Sequence, residues 1–238
     1  MIGEIFVRHL ALIGELSEAD KAALMTLQGE IRDIRRGEDL LTVGDRPRES
    51  VCVISGMLHR YKTTPEGKRQ IHSFYLPGDT PCLETVPIDV MDNSLAATAP
   101  SRVGIVPHPE LFRVMSERPQ VLHLLWRETL VQAAVFREWL TRNSQLLAHG
   151  QMAHFFCEIM VRARAHGIAR GDSCELPITQ EDLGDALGMS TVHVNRTLMV
   201  LRAGGLVEFQ GGVLTVPDLE RLMDMAEFDP TYLHLRPV

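Results

Sequence analysis

The chain has no run of about 18 consecutive apolar residues, and its opening carries Glu4, Arg8, His9 and Glu15 where an export signal needs an unbroken apolar core. Neither a membrane span nor export is expected, and the cytoplasm is the expected compartment. Cysteine is sparse: Cys52, Cys82, Cys157 and Cys174 stand far apart and never form the close C-x-x-C pairs of a zinc or redox site. Positive charge is also short. The formal net charge is −7, whereas nucleic-acid-binding domains are usually basic, so any DNA contact must come from a local patch.

Catalytic signatures are missing as well. There is no G-x-S-x-G elbow, no G-x-x-x-x-G-K-[ST] phosphate loop and no H-E-x-x-H helix. Gly171-Asp172-Ser173 lies in a charged linker, and His149 and His154 are too awkwardly spaced to share a helical face as ligands. No catalytic residue, no metal and no enzymatic activity are expected.

What is present is a chain of 238 residues, 45% hydrophobic and 23% charged, enough for two packed domains at roughly 150 residues each. Amphipathic helical segments open it. From 31 to 106 the pattern turns to short apolar runs at 31–34, 40–43, 51–54, 58–61, 71–76, 95–98 and 103–106, separated by Gly, Pro and Asp clusters, which predicts a sandwich, barrel or roll. Thr64-Pro65-Glu66-Gly67-Lys68 reads as a hairpin turn.

Beyond Pro119 no proline occurs until Pro177, and the pattern becomes helical. Over 120–147, Val121, Leu125, Gln132, Phe136, Trp139 and Leu146 form one stripe, with further apolar residues around the first half. A helix apolar on two sides needs two surfaces. One is its own β domain, and the other is predicted to be the same helix of a second copy, with Val121, Leu125, Gln132, Phe136 and Trp139 as the dimer residues. A second helix is expected over 152–165 and a loop over 167–174.

The most informative stretch begins at Ile178. Thr179 suits an N-cap with Asp182 three residues on, Gly188 sits where a turn needs a left-handed residue, and Ser190 can cap the next helix. Gly184, Gly188 and Val194 have the spacing of a helix-turn-helix. In the second helix Val194, Leu198 and Leu201 share the packed face, which turns Val192 and Arg196 outward with His193 and Asn195 on the flanks and Thr191 at the start. Arg196 can fork onto guanine O6 and N7 and Val192 can touch a thymine methyl, while Thr191, His193 and Asn195 can bond bases or phosphates. Thr179, Gln180 and Ser190 complete the candidate DNA-binding set. From 151 to 238 seven Arg face twelve Asp and Glu, yet Arg196 and Arg202 stand without an acid between Gly188 and Val207. Residues 206–209 and 213–216 around Gly211-Gly212 read as a wing.

This order resembles the cyclic-AMP receptor (CRP/FNR) family of bacterial transcription regulators. The matching residues are Ser55-Gly56, Pro65-Glu66-Gly67, Leu76-Pro77-Gly78-Asp79 and Ile178-Thr179-Gln180-Glu181-Asp182-Leu183-Gly184 through Arg196. The resemblance implies an α+β chain. Residues 1–118 would form a double-stranded β-roll like a cyclic-nucleotide-binding domain, 119–147 a long dimerisation helix, and 148–238 a C-terminal winged helix-turn-helix. It further implies a homodimer on a roughly palindromic double-stranded DNA site, with RNA polymerase as a partner. The family's ribose and phosphate pairs, Gly-Glu and Arg-Ser, fall here on Cys82-Leu83 and Asn93-Ser94. Glu84 is one position away and could restore the ribose contact through a shifted loop, but nothing supplies the guanidinium, so Cys82, Leu83, Glu84, Asn93 and Ser94 form a degenerate effector pocket. This argues against a cyclic nucleotide, because an anionic phosphate loses its bidentate partner. The iron–sulfur branch needs N-terminal cysteines, and none precedes Cys52. Haem stays open, with His59, His72, His108, His123, His149 and His154 as axial candidates, although no cofactor is predicted. Many members carry Glu where Val192 stands. Three alternatives remain at this point: a ligand-sensing or scaffolding module without DNA binding, a cyclic-nucleotide response through a non-standard pocket, and a regulator controlled by its own abundance.

Overall fold

The computed structural model describes residues 1–236, so 237 and 238, the end of the expected C-terminal domain, lie outside the described residues. The chain forms two compact units. Among the described residues, the first comprises 1–62, 74–133 and 234–236, and the second 63–73 and 134–233.

In the first unit, helices α1 (Ile2–Ile13) and α2 (Glu18–Met25) precede the strands. Ser17 and Asp20 close a reciprocal capping box at the start of α2. Strands β1 (Glu30–Ile34), β3 (Glu49–Ser55) and β7 (Ser101–Pro107) form an antiparallel sheet in the order β1-β7-β3. A four-stranded sheet, β2-β6-β4-β5, contains β2 (Asp39–Leu41), β4 (Leu58–Thr63), β5 (Arg69–Tyr75) and β6 (Ser94–Ala97). Apolar side chains from both sheets, among them Val51, Val53, Leu58, Leu95, Val103 and Ile105, pack into one core, which is the expected roll. The Leu76-Pro77-Gly78-Asp79 turn is fixed by the Leu76 N–H donating to Asp79 Oδ2 at 2.6 Å, with Gly78 at φ +103. A second core gathers Phe6, Leu10 and Ile13 of α1, Leu111 and Val114 of α3 (His108–Glu117), and Val121 and Leu125.

The long helix α4 (Pro119–Gln145) contributes its first part to this unit and the remainder to the second. Glu128 is buried and pairs with His9 of α1 at 3.0 Å.

The second unit holds the hairpin tip, closed by Thr64 N–H to Lys68 O at 2.8 Å with Gly67 at φ +81. It continues with α5 (Ala148–Ala165), β8 (Ser173–Glu175), α6 (Gln180–Leu187), α7 (Thr191–Ala203), β9 (Glu208–Gln210), β10 (Val213–Thr215) and α8 (Leu219–Ala226). The expected loop over 167–174 ends in a strand, because β8 pairs with β10 and gives a three-stranded sheet ordered β8-β10-β9. The core of this unit is aromatic, with Trp139 set edge-on to Phe155 at 5.7 Å and Phe156 against Phe209 at 5.9 Å. Glu158 is fully buried and accepts from the Trp139 indole N–H and the Tyr232 hydroxyl, each at 2.8 Å. A buried carboxylate held by several donors loses little by desolvation.

Candidate nucleic-acid interface

Local chemistry sets the helix pair at the heart of the second unit. Thr179 Oγ1 accepts from Asp182 N–H at 3.1 Å and Asp182 Oδ2 accepts from Thr179 N–H at 2.9 Å, so the expected capping box forms at α6. Gly188 ends α6 at φ +67, and Ser190 Oγ accepts from His193 N–H to start α7. Gly184 is the crossing point. A methyl group there would lie 2.5 Å from the Met189 carbonyl oxygen, with Val194 Cγ2 the nearest side-chain atom at 3.7 Å. Only glycine permits that approach.

Leu183, Ala186, Leu187, Val194, Thr197, Leu198 and Leu201 are buried between the elements. The opposite side of α7 is open: Thr191, Val192, His193, Asn195 and Arg196 are all exposed, Val192 at 64%. No carboxylate among the described residues pairs with Arg196. Asn195 Nδ2 donates to Gln180 Oε1 at 3.4 Å, which links two of the expected DNA-binding residues across the helix pair. The same open face carries Met199 and Val200, which periodicity alone had not singled out.

Two of the three acids of α6, Asp182 and Asp185, are paired from within the unit. Arg69, at the hairpin tip, donates from Nε to Asp185 Oδ2 at 2.6 Å and from Nη2 to Asp182 Oδ1 at 2.7 Å, and Gln70 Nε2 donates to the Asp185 carbonyl at 2.7 Å. Burial would raise the Asp182 carboxyl, but its bonds to Thr179 and the Arg69 guanidinium outweigh this and hold it below the usual carboxylate range. Two carboxylates near the recognition helix thus share one cation, Arg69, that counting residues 151–238 omits.

The dimer-helix reading needs correction. Val121 and Leu125 belong to the core of the first unit, and Trp139 is buried with its N–H on Glu158. Gln132 is half-buried and donates to Glu128. Of the five named residues only Phe136 is an exposed apolar side chain. The outward face instead carries Leu122, Trp126, Leu130, Phe136 and Leu140, with Trp126 at 62% and Leu140 at 66% exposed. Trp126, Ala133 and Leu140 recur at intervals of seven, the period of a coiled-coil seam.

The effector-pocket residues separate into two groups. Leu83 joins the core beneath α1, and Ser94 accepts from Val43 N–H at 3.3 Å. Cys82, Glu84 and Asn93 converge on a residue the sequence reading missed, Arg60 of β4. Its guanidinium is paired with Glu84, and donates to Asn93 Oδ1 and Tyr75 Oη at 2.9 Å each and to Cys82 Sγ at 3.9 Å. The expectation that no guanidinium is available therefore fails, because the cation comes from a strand rather than from the pocket segment. Inward parity with Leu58 was the available signal. Cys82 has a left-handed φ of +72, a conformation that glycine adopts more readily than other residues.

Of the haem candidates, His59 bonds Thr98 and His108 bonds Thr85, each at 2.9 Å. His154 is wedged between Phe228 and Tyr232, its pKa lowered to about 4 by burial and by Arg142. All four cysteines are buried free thiols. Burial pushes Cys52 and Cys157 up to about 12 and Cys174 to about 11, so none offers a ready thiolate.

Two family models match: a cyclic nucleotide-binding domain over residues 31–118 and a Crp-like helix-turn-helix domain over 150–225. The transcriptional activator protein FnrL of Cereibacter sphaeroides is 25% identical over 234 residues, covering 95% of this chain and 92% of its own. The transcriptional activatory protein AadR of Rhodopseudomonas palustris is 28% identical, covering 94% and 89%. The solved structure of FixK2 from Bradyrhizobium japonicum superposes with a TM-score of 0.75 at 25% identity, covering 84% of this chain and 98% of that one. A CRP-family transcriptional regulator from Thermus thermophilus, at 18% identity and a TM-score of 0.65, shares the fold over 82% and 96%. With its β-roll, long helix and winged helix-turn-helix, the chain belongs to the CRP/FNR family of transcription regulators.

Proposed function

We propose that this regulator works as a homodimer joined along the outward seam of α4. Its two α7 helices would enter successive major grooves of a roughly palindromic double-stranded DNA site. The observation that carries the reading is Arg196, exposed and without an ion pair on an open helix face whose opposite side is wholly packed. Arg196 would fork onto a guanine, Val192 would meet a thymine methyl, and Asn195, held by Gln180, would present its amide to a neighbouring base. Thr179, Ser190, Thr191 and His193 would contact phosphates or bases near the start of α7. Trp126, Ala133 and Leu140 of each copy would interdigitate as knobs in holes.

The residues present do not fit the groups associated with relatives of this kind. Four of the five Arg60 N–H donors face protein acceptors and its charge is already paired with Glu84, so a cyclic phosphate would meet an occupied cation. No three cysteines converge among the described residues, so an iron–sulfur cluster has no ligand set. We read the protein as acting without a cofactor and without catalysis, in the cytoplasm, with RNA polymerase as its second macromolecular partner.

Selection of bound sites from random DNA tests the reading. A two-fold-symmetric consensus with one guanine step per half-site, lost on Arg196→Ala, is the expected result. Enrichment of no sequence by the dimer would leave the scaffolding alternative standing.

A further inference from the structure

The roll's interior raises a separate question: what does a buried arginine do in a pocket that has lost its usual anion-binding segment? Arg60 is only 9% exposed, and its strand pairs with β6, placing it opposite Leu95. A guanidinium in such a place is tolerated only when its donors are saturated and its charge is matched. Tyr75 and Asn93 take two donor directions, and Cys82 Sγ lies 3.9 Å from a third. The charge is matched by Glu84 alone among these partners.

Glu84 is held less firmly than the cation it serves. It sits on a single turn of 3-10 helix, Leu83–Thr85, entered through the left-handed Cys82, and its side chain is more exposed than that of Arg60. Its carboxylate occupies the position of an anion beside Asn93, the residue on which the family's phosphate-binding arginine falls. The arrangement is a cation fixed in the wall with a carboxylate delivered to it on a short tether.

We infer that Arg60 is an oxyanion-binding centre whose ligand is the chain's own Glu84, so that the roll is complete without a diffusible effector. A tethered ligand has a high effective concentration and excludes free competitors, and carboxylate and phosphate present the same pair of acceptor oxygens to a guanidinium. Removing the Glu84 carboxylate should turn the closed site into one open to small oxyanions. The site itself does not depend on the DNA-binding reading; only its regulatory consequence does.

Chemical rescue with formate tests the inference. The parent protein should melt at the same temperature with and without formate, beyond the shift that chloride of equal ionic strength produces. Glu84→Ala leaves a buried cation unpaired and should lower Tm by about 6–10 °C, with formate restoring at least half of the loss. The Arg60→Met/Glu84→Ala double variant should show no formate-specific gain. Should Glu84→Ala fail to fold in chloride, folding in formate is the expected result, and failure there too overturns the inference. An undiminished Tm in Glu84→Ala, equal rescue of the double variant, or stabilisation of the parent by cyclic AMP would also overturn it. A second arm measures operator binding by parent protein refolded free of small molecules, expected within about twofold of its value with cyclic AMP added. No operator binding at all, with the melting results as stated, removes the DNA-binding reading and leaves the oxyanion centre intact.

Discussion

Arg69 at the hairpin tip and Asp182 in the first turn of α6 share a 2.7 Å hydrogen bond, and Asp182 is also the capping-box partner of Thr179 at the start of that helix. One carboxylate thereby helps cap the helix start and ties it to the hairpin. Replacing Arg69 by Gln should lower unfolding free energy by about 1–2 kcal/mol, since the pair is partly exposed and two charge-assisted bonds are lost. Because the Asp182 carboxyl is held low in the folded state, its contribution is present above its ordinary value of 3.8 and vanishes as pH falls through the folded value. Urea denaturation of parent and variant between pH 3 and 7 should therefore converge at the acid end. A constant difference across that range would contradict the assignment.

His154 gives the opposite kind of group with the same acid sensitivity. Its pKa is lowered from 6.5 to about 4, burial being the larger cause and Arg142 the smaller. A depressed histidine contributes stability above pH 6.5 that is lost as pH falls towards 4, amounting to about 3 kcal/mol. His154→Phe, which keeps a ring between Phe228 and Tyr232, should flatten the stability profile over that interval. An unchanged slope in the variant would point to other groups.

Gly184 cannot carry a side chain without moving backbone, because the Met189 carbonyl stands 2.5 Å from the added carbon. Gly184→Ala should cost about 1–3 kcal/mol and weaken operator binding, while Gly171→Ala, with open space around its Cβ but φ at +62, should cost only about 1 kcal/mol and spare DNA affinity. Thermal melts and a mobility-shift titration separate the two.

At the DNA surface, Arg196→Ala should reduce discrimination at one base step by about 1–3 kcal/mol while leaving the preferences at other positions intact. Competition between consensus and single-step variants reads this directly. Uniform weakening on every sequence would demote Arg196 to a phosphate contact.

Along the outward face of α4, Leu140→Lys should dissociate the dimer, whereas Gln132→Ala should not. Sedimentation equilibrium distinguishes them. A parent protein that is monomeric at micromolar concentration would discard the seam.

The helix-turn-helix was legible because caps and turns are local: Thr179 with Asp182, Gly188 and Ser190 each act within four residues. The strands of the roll were likewise announced by their punctuation. Val121, Leu125 and Trp139, expected on the dimer stripe, turn inward, because α4 is apolar on both sides and periodicity finds the strongest stripe without saying which surface it meets. Arg60 escaped because the pocket was counted along one segment, whereas the guanidinium arrives from β4 through pairing with residues more than thirty positions away. Strand β8 owes its existence to β10, some forty residues on. Helix α8 did have a local sign, since Asp218 caps it by accepting from Arg221 N–H at 3.0 Å.

The chain has two tryptophans, and they report on different events. Trp126 is bare on the outer face of α4, so its emission should shift to the blue when another copy covers it. Trp139 is buried with its indole N–H on Glu158, whose other oxygen contacts include Tyr232 near the carboxyl end, so its emission should redden only when that end lets go. A pair of single-tryptophan proteins would thus follow association and local melting as separate optical signals, without any added label.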